Sequence, residues 1–311
     1  MRKLLVLGLV GLAAQLVDGA LGMAYGLTST TLLLITGTAP AAASASVHLA
    51  EIGTTLSAGV AHWRFGNVDW PTITRLAGPG ALGAFTGATL LSALPAEAAV
   101  PWMAGLLTTL GGYLLVRFAR PLPPIHPTPT TGTTPIRRRF LAPLGLIAGV
   151  VDATGGGGWG PVATPTLLAS GRLEPRKVIG SVDTAEFLVA AAASSGFLIG
   201  LGSKGFLLPA VVALLIGGII AAPIAAWLVR NLPAQLLGVA IGGVVLLTNT
   251  RTLLASFNVD AARPLIYAAV VAAWLAAAGL AVRALRRART PEQPRPPAPP
   301  LPSPKQVTAK R

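Results

Sequence analysis

The chain contains no cysteine, and only 11% of its 311 residues are charged and 5% aromatic. The missing cysteine excludes disulfides, thiolate metal sites and a cysteine nucleophile. The low charge, beside 53% hydrophobic residues and a mean hydropathy of +0.68, excludes an ordinary soluble protein. No Walker-type phosphate loop is present, which argues against ATP coupling within the chain. Acids number ten against 24 basic residues, a net charge of +14. That excess is no nucleic-acid footprint, because it gathers outside the apolar segments. Arg117 to Arg139 holds five basic residues and no acid, and the tail from Arg283 holds eight against Glu292. Basic clusters beside apolar spans mark the cytoplasmic face. The expected partners are therefore the lipid bilayer and a small solute, with no nucleic acid and no cofactor.

What the chain does contain is a series of apolar runs, two of them broken by glycine. The sharper break is DATGGGGWGPVATP, Asp152 to Pro165, with four consecutive glycines. Glycine costs about 1 kcal/mol relative to alanine within a helix, so this run ends one helix, and Pro161 suits the first turn of the next. The earlier break is DGALGMAYG, Asp18 to Gly26. A constant shift of 134 residues places Asp18 on Asp152, Gly22 on Gly156, Gly26 on Gly160 and Gly37 on Gly171. A shift of 135 then places Pro40 on Pro175, Ser46 on Ser181 and Glu51 on Glu186. The chain reads as an internal duplication. Interrupted segments at matching places in two halves point to the binding site of a secondary transporter.

The first piece, Leu4 to Val17, and the second, Gly26 to Thr36, are each too short to cross a core ~30 Å thick at ~1.5 Å per residue. Each broken segment is expected to be a re-entrant hairpin of two half-helices, with one long broken crossing as the alternative. The first residues mimic a signal peptide, but cleavage would destroy the first copy, so retention is expected. The fold expected is an all-α polytopic membrane protein of two inverted repeats. Each repeat would be a broken hairpin plus three transmembrane helices, with one extra transmembrane helix at the C-terminal end. The units are residues 1–118, a Pro/Thr/Arg linker at 119–139, a second repeat at 140–256, the extra helix at 257–283 and a basic, proline-rich tail at 284–311. Three spans per copy place linker and tail on the cytoplasmic side of the cell membrane.

Two groups of residues are expected to carry the chemistry. At the breaks, free amides and the helix dipole favour an anion, so Asp18, Gly22, Gly26, Asp152, Gly155, Gly156, Gly157, Gly158, Trp159 and Gly160 are candidates for the substrate site. The alternative reading is that Asp18 and Asp152 cap the helix starts, which weakens them as anion sites, and that the glycines serve close packing. The second group lies in SVHLAE, Ser46 to Glu51, and its counterpart SVDTAE, Ser181 to Glu186. Ser46 and Ser181 are further candidates for substrate contact. His48 with Glu51, and Asp183 with Glu186, share helix faces. Ionisable groups within spans point to function, here a proton carried in exchange for substrate. A buried network locking the copies together, or a metal site, remains open. His62 lies at a span end and is expected at the interface.

These motifs resemble the TauE/SafE family of membrane transporters. The resemblance rests on the paired broken segments, on STTLLLITG at Ser29 to Gly37 and TPTLLASG at Thr164 to Gly171, on GNVDW at Gly66 to Trp70, and on GGIIAAPIAAWLVRNLP at Gly217 to Pro233. It implies export of sulfite or an organosulfonate, and a homodimer is a family-level expectation. The first break departs from the pattern, with MAYG in place of a glycine-rich run. The expected function is alternating-access export of a small anion, without enzymatic activity. A divalent metal-ion exporter is the alternative within transport. An intramembrane hydrolase is the alternative outside it, although no nucleophile motif is present.

Overall fold

The computed structural model describes residues 2–21, 23–120, 136–170, 172–228 and 234–289, and these are helical with short connections and no strand among them. The helices are α1 (Arg2–Leu21), α2 (Tyr25–Ile35), α3 (Pro40–Arg64), α4 (Trp70–Ala93), α5 (Ala96–Ala119), α6 (Arg138–Gly155), α7 (Trp159–Ala169), α8 (Pro175–Leu201), α9 (Leu208–Leu228), α10 (Ala234–Ser256) and α11 (Arg263–Arg289). Helix starts follow local chemistry. Pro40 and Pro175 occupy first-turn positions, and Asp69 Oδ2 accepts from the Thr72 amide at 3.0 Å to cap α4. Among the described residues, α4, α5, α8, α10 and α11 are each long and apolar enough to cross a membrane. This is a polytopic membrane protein. The linker residues 121–135 and the tail 290–311 lie outside the described residues.

The five helices α1 to α5 have counterparts in α6 to α10, in the same order and with a break after the first of each set. Both breaks are shorter than the sequence implies. Asp18 and Asp152 still belong to the last turns of α1 and α6, and among the described residues the irregular backbone is confined to residues 23–24 and 156–158. Gly155 ends α6, while Gly26 and Gly160 lie inside the following helices.

The packing crosses between the two sets. Helix α4 packs on α6 and α8, α9 packs on α1 and α3, and α3 meets α8 while α5 meets α10. Small residues permit the closest approaches. A Cβ at Gly83 would strike the Leu146 carbonyl and one at Gly149 would strike that of Gly80, so α4 and α6 run parallel with their backbones touching. The matching contact joins Gly217 of α9 to the Gly8 carbonyl of α1. The core between these helices is filled by Trp159, Phe197, Leu76, Leu107 and Leu167, all fully buried.

Candidate functional site

The two breaks face each other. A Cβ built on Gly26 would overlap the Gly157 backbone and lie 2.9 Å from Glu51 Oε1, and one on Gly157 would strike the Gly26 and Leu27 backbone. Thr30 Oγ1 donates to the Gly156 carbonyl at 2.5 Å. Gly156 and Gly157 have φ of +70° and +142°, the left-handed region that favours glycine. The glycines of the second break thus serve close backbone contact with the first. In the first break the matching strain falls on an alanine: Ala24 has φ +112°. Gly22 lies outside the described residues.

The second break is saturated with hydrogen bonds. Asp152 is fully buried, and its Oδ1 accepts from the amides of Gly158 at 2.7 Å and Trp159 at 3.0 Å, capping α7. Its backbone carbonyl takes the amides of Gly156 and Gly157. The remaining carboxylate oxygen, Oδ2, is 3.1 Å from Nε2 of the fully buried His48, whose Nδ1 is 2.8 Å from the Ser44 carbonyl. Ser44 Oγ in turn donates to the Ala153 carbonyl at 2.7 Å. Trp159 is fully buried with Nε1 donating to the Val182 carbonyl at 3.0 Å, so it anchors packing.

The first break is less bonded among the described residues. There Asp18 Oδ1 accepts a long bond from the Tyr25 amide, 3.3 Å, at the start of α2. Asp18 lines a narrow cavity of about 10 Å³ together with Glu51, Asp183 and Glu186, flanked by Gln15, Tyr25, Thr54, Thr55 and Ala58. That volume is at the lower limit for one water molecule, so the cavity is closed to a sulfonate-sized solute. The four carboxyl groups have one basic partner among the described ion pairs, His62, whose Nε2 is 3.2 Å from Asp183 Oδ2. Glu51 is 2% exposed and neither of its carboxylate oxygens has a hydrogen-bond partner among the described residues. A buried carboxylate without a partner is costly, and it marks where a proton, cation or moving substrate completes the site.

The asymmetry traces to one position of the duplication. Position 48 and its counterpart 183 each face the aspartate of the opposite break. A histidine at 48 makes an ion pair with Asp152; an aspartate at 183 makes a carboxyl–carboxyl neighbour for Asp18. The sequence groups His48 with Glu51, whereas the structure sends His48 to Asp152 and brings Glu51, Asp183, Glu186 and Asp18 together. His62, at the end of α3, joins Asp183. Among the described residues no three His, Asp or Glu side chains take up a metal-binding arrangement. Ser46 and Ser181 do not line the cavity. Ser46 Oγ accepts the Leu207 amide at 3.0 Å and Ser181 Oγ accepts the Asp69 amide at 2.8 Å, so each holds the loop that starts a helix of the other set. Gln15, Tyr25, Thr54 and Thr55 carried no sequence signal beyond being polar in apolar helices. Asn249, which donates from α10 to Thr31 of α2 at 3.1 Å, was equally unmarked.

Both breaks, the cavity and the crossed serines fall within residues 7–252, the region matched by the model of the sulfite exporter TauE/SafE family. The chain is also 53% identical over 278 residues to the "Probable membrane transporter protein YtnM" of Bacillus subtilis (strain 168), covering 89% of this chain and 92% of that protein. No solved structure matches. With a family match across all of α2 to α9 and a full-length relative of the same kind, the chain belongs to the sulfite exporter TauE/SafE family and is a membrane transporter, not an enzyme.

Proposed function

We propose that the protein is a secondary exporter of a small oxyanion, sulfite or an organosulfonate, in the cell membrane. The substrate binds between the two broken helices, and protons move with it through Asp18, Glu51, Asp183 and Glu186. The observation that carries this reading is the closed, four-carboxyl cavity directly beside the contact of the two breaks. An anion entering next to four ionised carboxylates meets strong repulsion, about 4 kcal/mol per charge at 4 Å in a medium of effective dielectric 20. Proton uptake removes that repulsion. Anion and proton therefore travel on the same leg of the cycle, the reverse of the exchange expected from sequence, and export runs down the anion's own gradient.

The crossed packing of the two helix sets supports an inverted-repeat arrangement in which each broken pair enters from its own side and the closed cavity opens alternately. Such rocking about a fixed midplane site is the usual use of broken helices in transporters. The basic linker and tail then share the cytoplasmic side. The metal-exporter reading is not favoured, since His48 is engaged by Asp152 rather than by the acids of the cavity.

The test is flux into proteoliposomes with a lumenal pH dye, using sulfite and a small alkyl sulfonate whose own group does not titrate near neutrality. Wild type should take up the sulfonate with lumenal acidification, and Glu186→Gln should retain uptake while losing the acidification. Uptake with lumenal alkalinisation would reverse the coupling, and absence of uptake of either anion would reject the substrate class.

A further inference from the structure

A wide open groove lies away from the breaks, between the starts of α4 and α6. Its volume is about 1470 Å³, and it is bounded by Arg75 and Thr74 of α4 and by Arg137, Arg138 and Arg139 at the start of α6. Its remaining wall is apolar and glycine-opened: Gly78, Pro79 and Leu82 on one side, Ala142, Pro143 and Leu146 on the other. We propose that this groove is a binding site for an anionic phospholipid, whose phosphate sits among the arginines and whose acyl chain lies along the α4–α6 seam.

Three observations converge on that ligand. The arginines have no carboxylate among the described ion pairs, and the linker sequence at 121–135 contains no acid to supply one. Arg75 is held in place by donating to the Ile136 carbonyl at 2.9 Å, which ties the residue before the arginine run to α4. Because α4 and α6 run parallel, their amino ends lie together, and the start of α6 has no side-chain cap, so its free amides add to the positive field. The level is right for a head group. Trp70 at the start of α4 is half exposed, as expected of an interfacial tryptophan, and Arg75 follows within about two turns. Below the arginines the groove wall is exposed hydrocarbon: Leu82 is 62% exposed and Leu146 40% exposed. A soluble anion would use only the charged end. A phospholipid matches both ends, and basic pockets between helix starts are suited to anionic head groups.

The site sits on the α4–α6 seam, which also carries the close glycine contacts of Gly83 and Gly149, so an occupied groove would hold the two helix sets together at that edge. The experiment is a thermal-stability and native mass measurement of the full-length protein. The detergent-purified chain is supplemented with phosphatidylglycerol, phosphatidylcholine of the same acyl chains, or inorganic phosphate. Phosphatidylglycerol should raise the melting temperature and remain bound as discrete adducts, while phosphatidylcholine and phosphate should not. The triple variant Arg137→Gln, Arg138→Gln, Arg139→Gln should bind phosphatidylglycerol roughly 100-fold more weakly, the combined scale of three basic residues beside an anionic leaflet. A second variant guards against misfolding. Gly78 has open space around a built Cβ, so Gly78→Trp plugs the groove without displacing backbone and should abolish the adducts while leaving the unsupplemented melting temperature within about 2 °C. Equal stabilisation by both lipids, stabilisation by phosphate alone, adducts that persist in both variants, or loss of a dimer rather than of lipid in the variants would each overturn the proposal.

Discussion

Replacing Gly157 with alanine adds one methyl group at the point where the two broken helices touch. Two costs arise at once. Gly157 has φ +142°, where a side chain carries strain of about 1–3 kcal/mol. The added Cβ also meets backbone, the Leu27 nitrogen and the Gly26 Cα and carbonyl carbon, rather than a side chain able to turn away. Overpacking of that kind costs about 1–3 kcal/mol more. The sum, roughly 2–6 kcal/mol, is a large part of a typical folding stability of about 5–15 kcal/mol. At about 2–4 °C per kcal/mol for a chain of this size class, the melting temperature should fall by roughly 4–24 °C. The break contact should open with it, so sulfonate flux should drop at least tenfold even in protein that still inserts. Gly105→Ala is the control: it lies within α5, a Cβ there meets nothing within 4 Å, and neither stability nor flux should fall. A Gly157→Ala protein that melts within 1 °C of wild type and transports normally would refute both the packing geometry and the placement of the site.

Further outcomes follow from the same contacts. Asp152→Asn weakens a carboxylate that caps α7 through two amides and pairs with His48, so it should cost about 3–5 kcal/mol, read as a fall in melting temperature. Among the described residues Asp18→Asn disturbs one 3.3 Å bond, and it should leave stability within about 1 kcal/mol while altering proton movement in the flux assay. Ala24→Gly relieves the positive φ at the first break and should raise stability by about 1 kcal/mol, with a correspondingly higher melting temperature. Ser46→Ala and Ser181→Ala each strand one loop amide, costing about 1 kcal/mol apiece, and the double variant should show the sum while substrate KM stays unchanged.

The elements of this fold were legible because each signal is local. Hydrophobic run length and the prolines at 40 and 175 located α3 and α8, and four successive glycines marked the interruption between α6 and α7. Break boundaries were less legible: Asp18 and Asp152 looked like the openings of the breaks but are the last helical turns, since an aspartate that caps the next helix across a short loop reads the same in sequence as one that starts the loop. Site membership was the hardest to read. Helical spacing joins residues of one strand of text, His48 to Glu51 and Asp183 to Glu186, whereas the contacts that matter cross between helix sets. Only the mismatch of histidine at 48 with aspartate at 183 carried a trace of the asymmetry, and its meaning required knowing that each faces the opposite break.

The crossed serine tethers and the α4–α6 and α1–α9 seams have a consequence for ancestry. Residues 2–120 hold the grooves that residues 136–256 fill, and the reverse, so neither stretch encloses its own broken helix. A half-length precursor would have been unable to bury these faces alone and would have existed as a two-fold pair of identical chains. Fusion of two such genes would then have freed positions 48 and 183 to diverge, which identical subunits forbid. Co-expression of the two stretches as separate polypeptides should therefore restore an assembled transporter, while either expressed singly should be degraded.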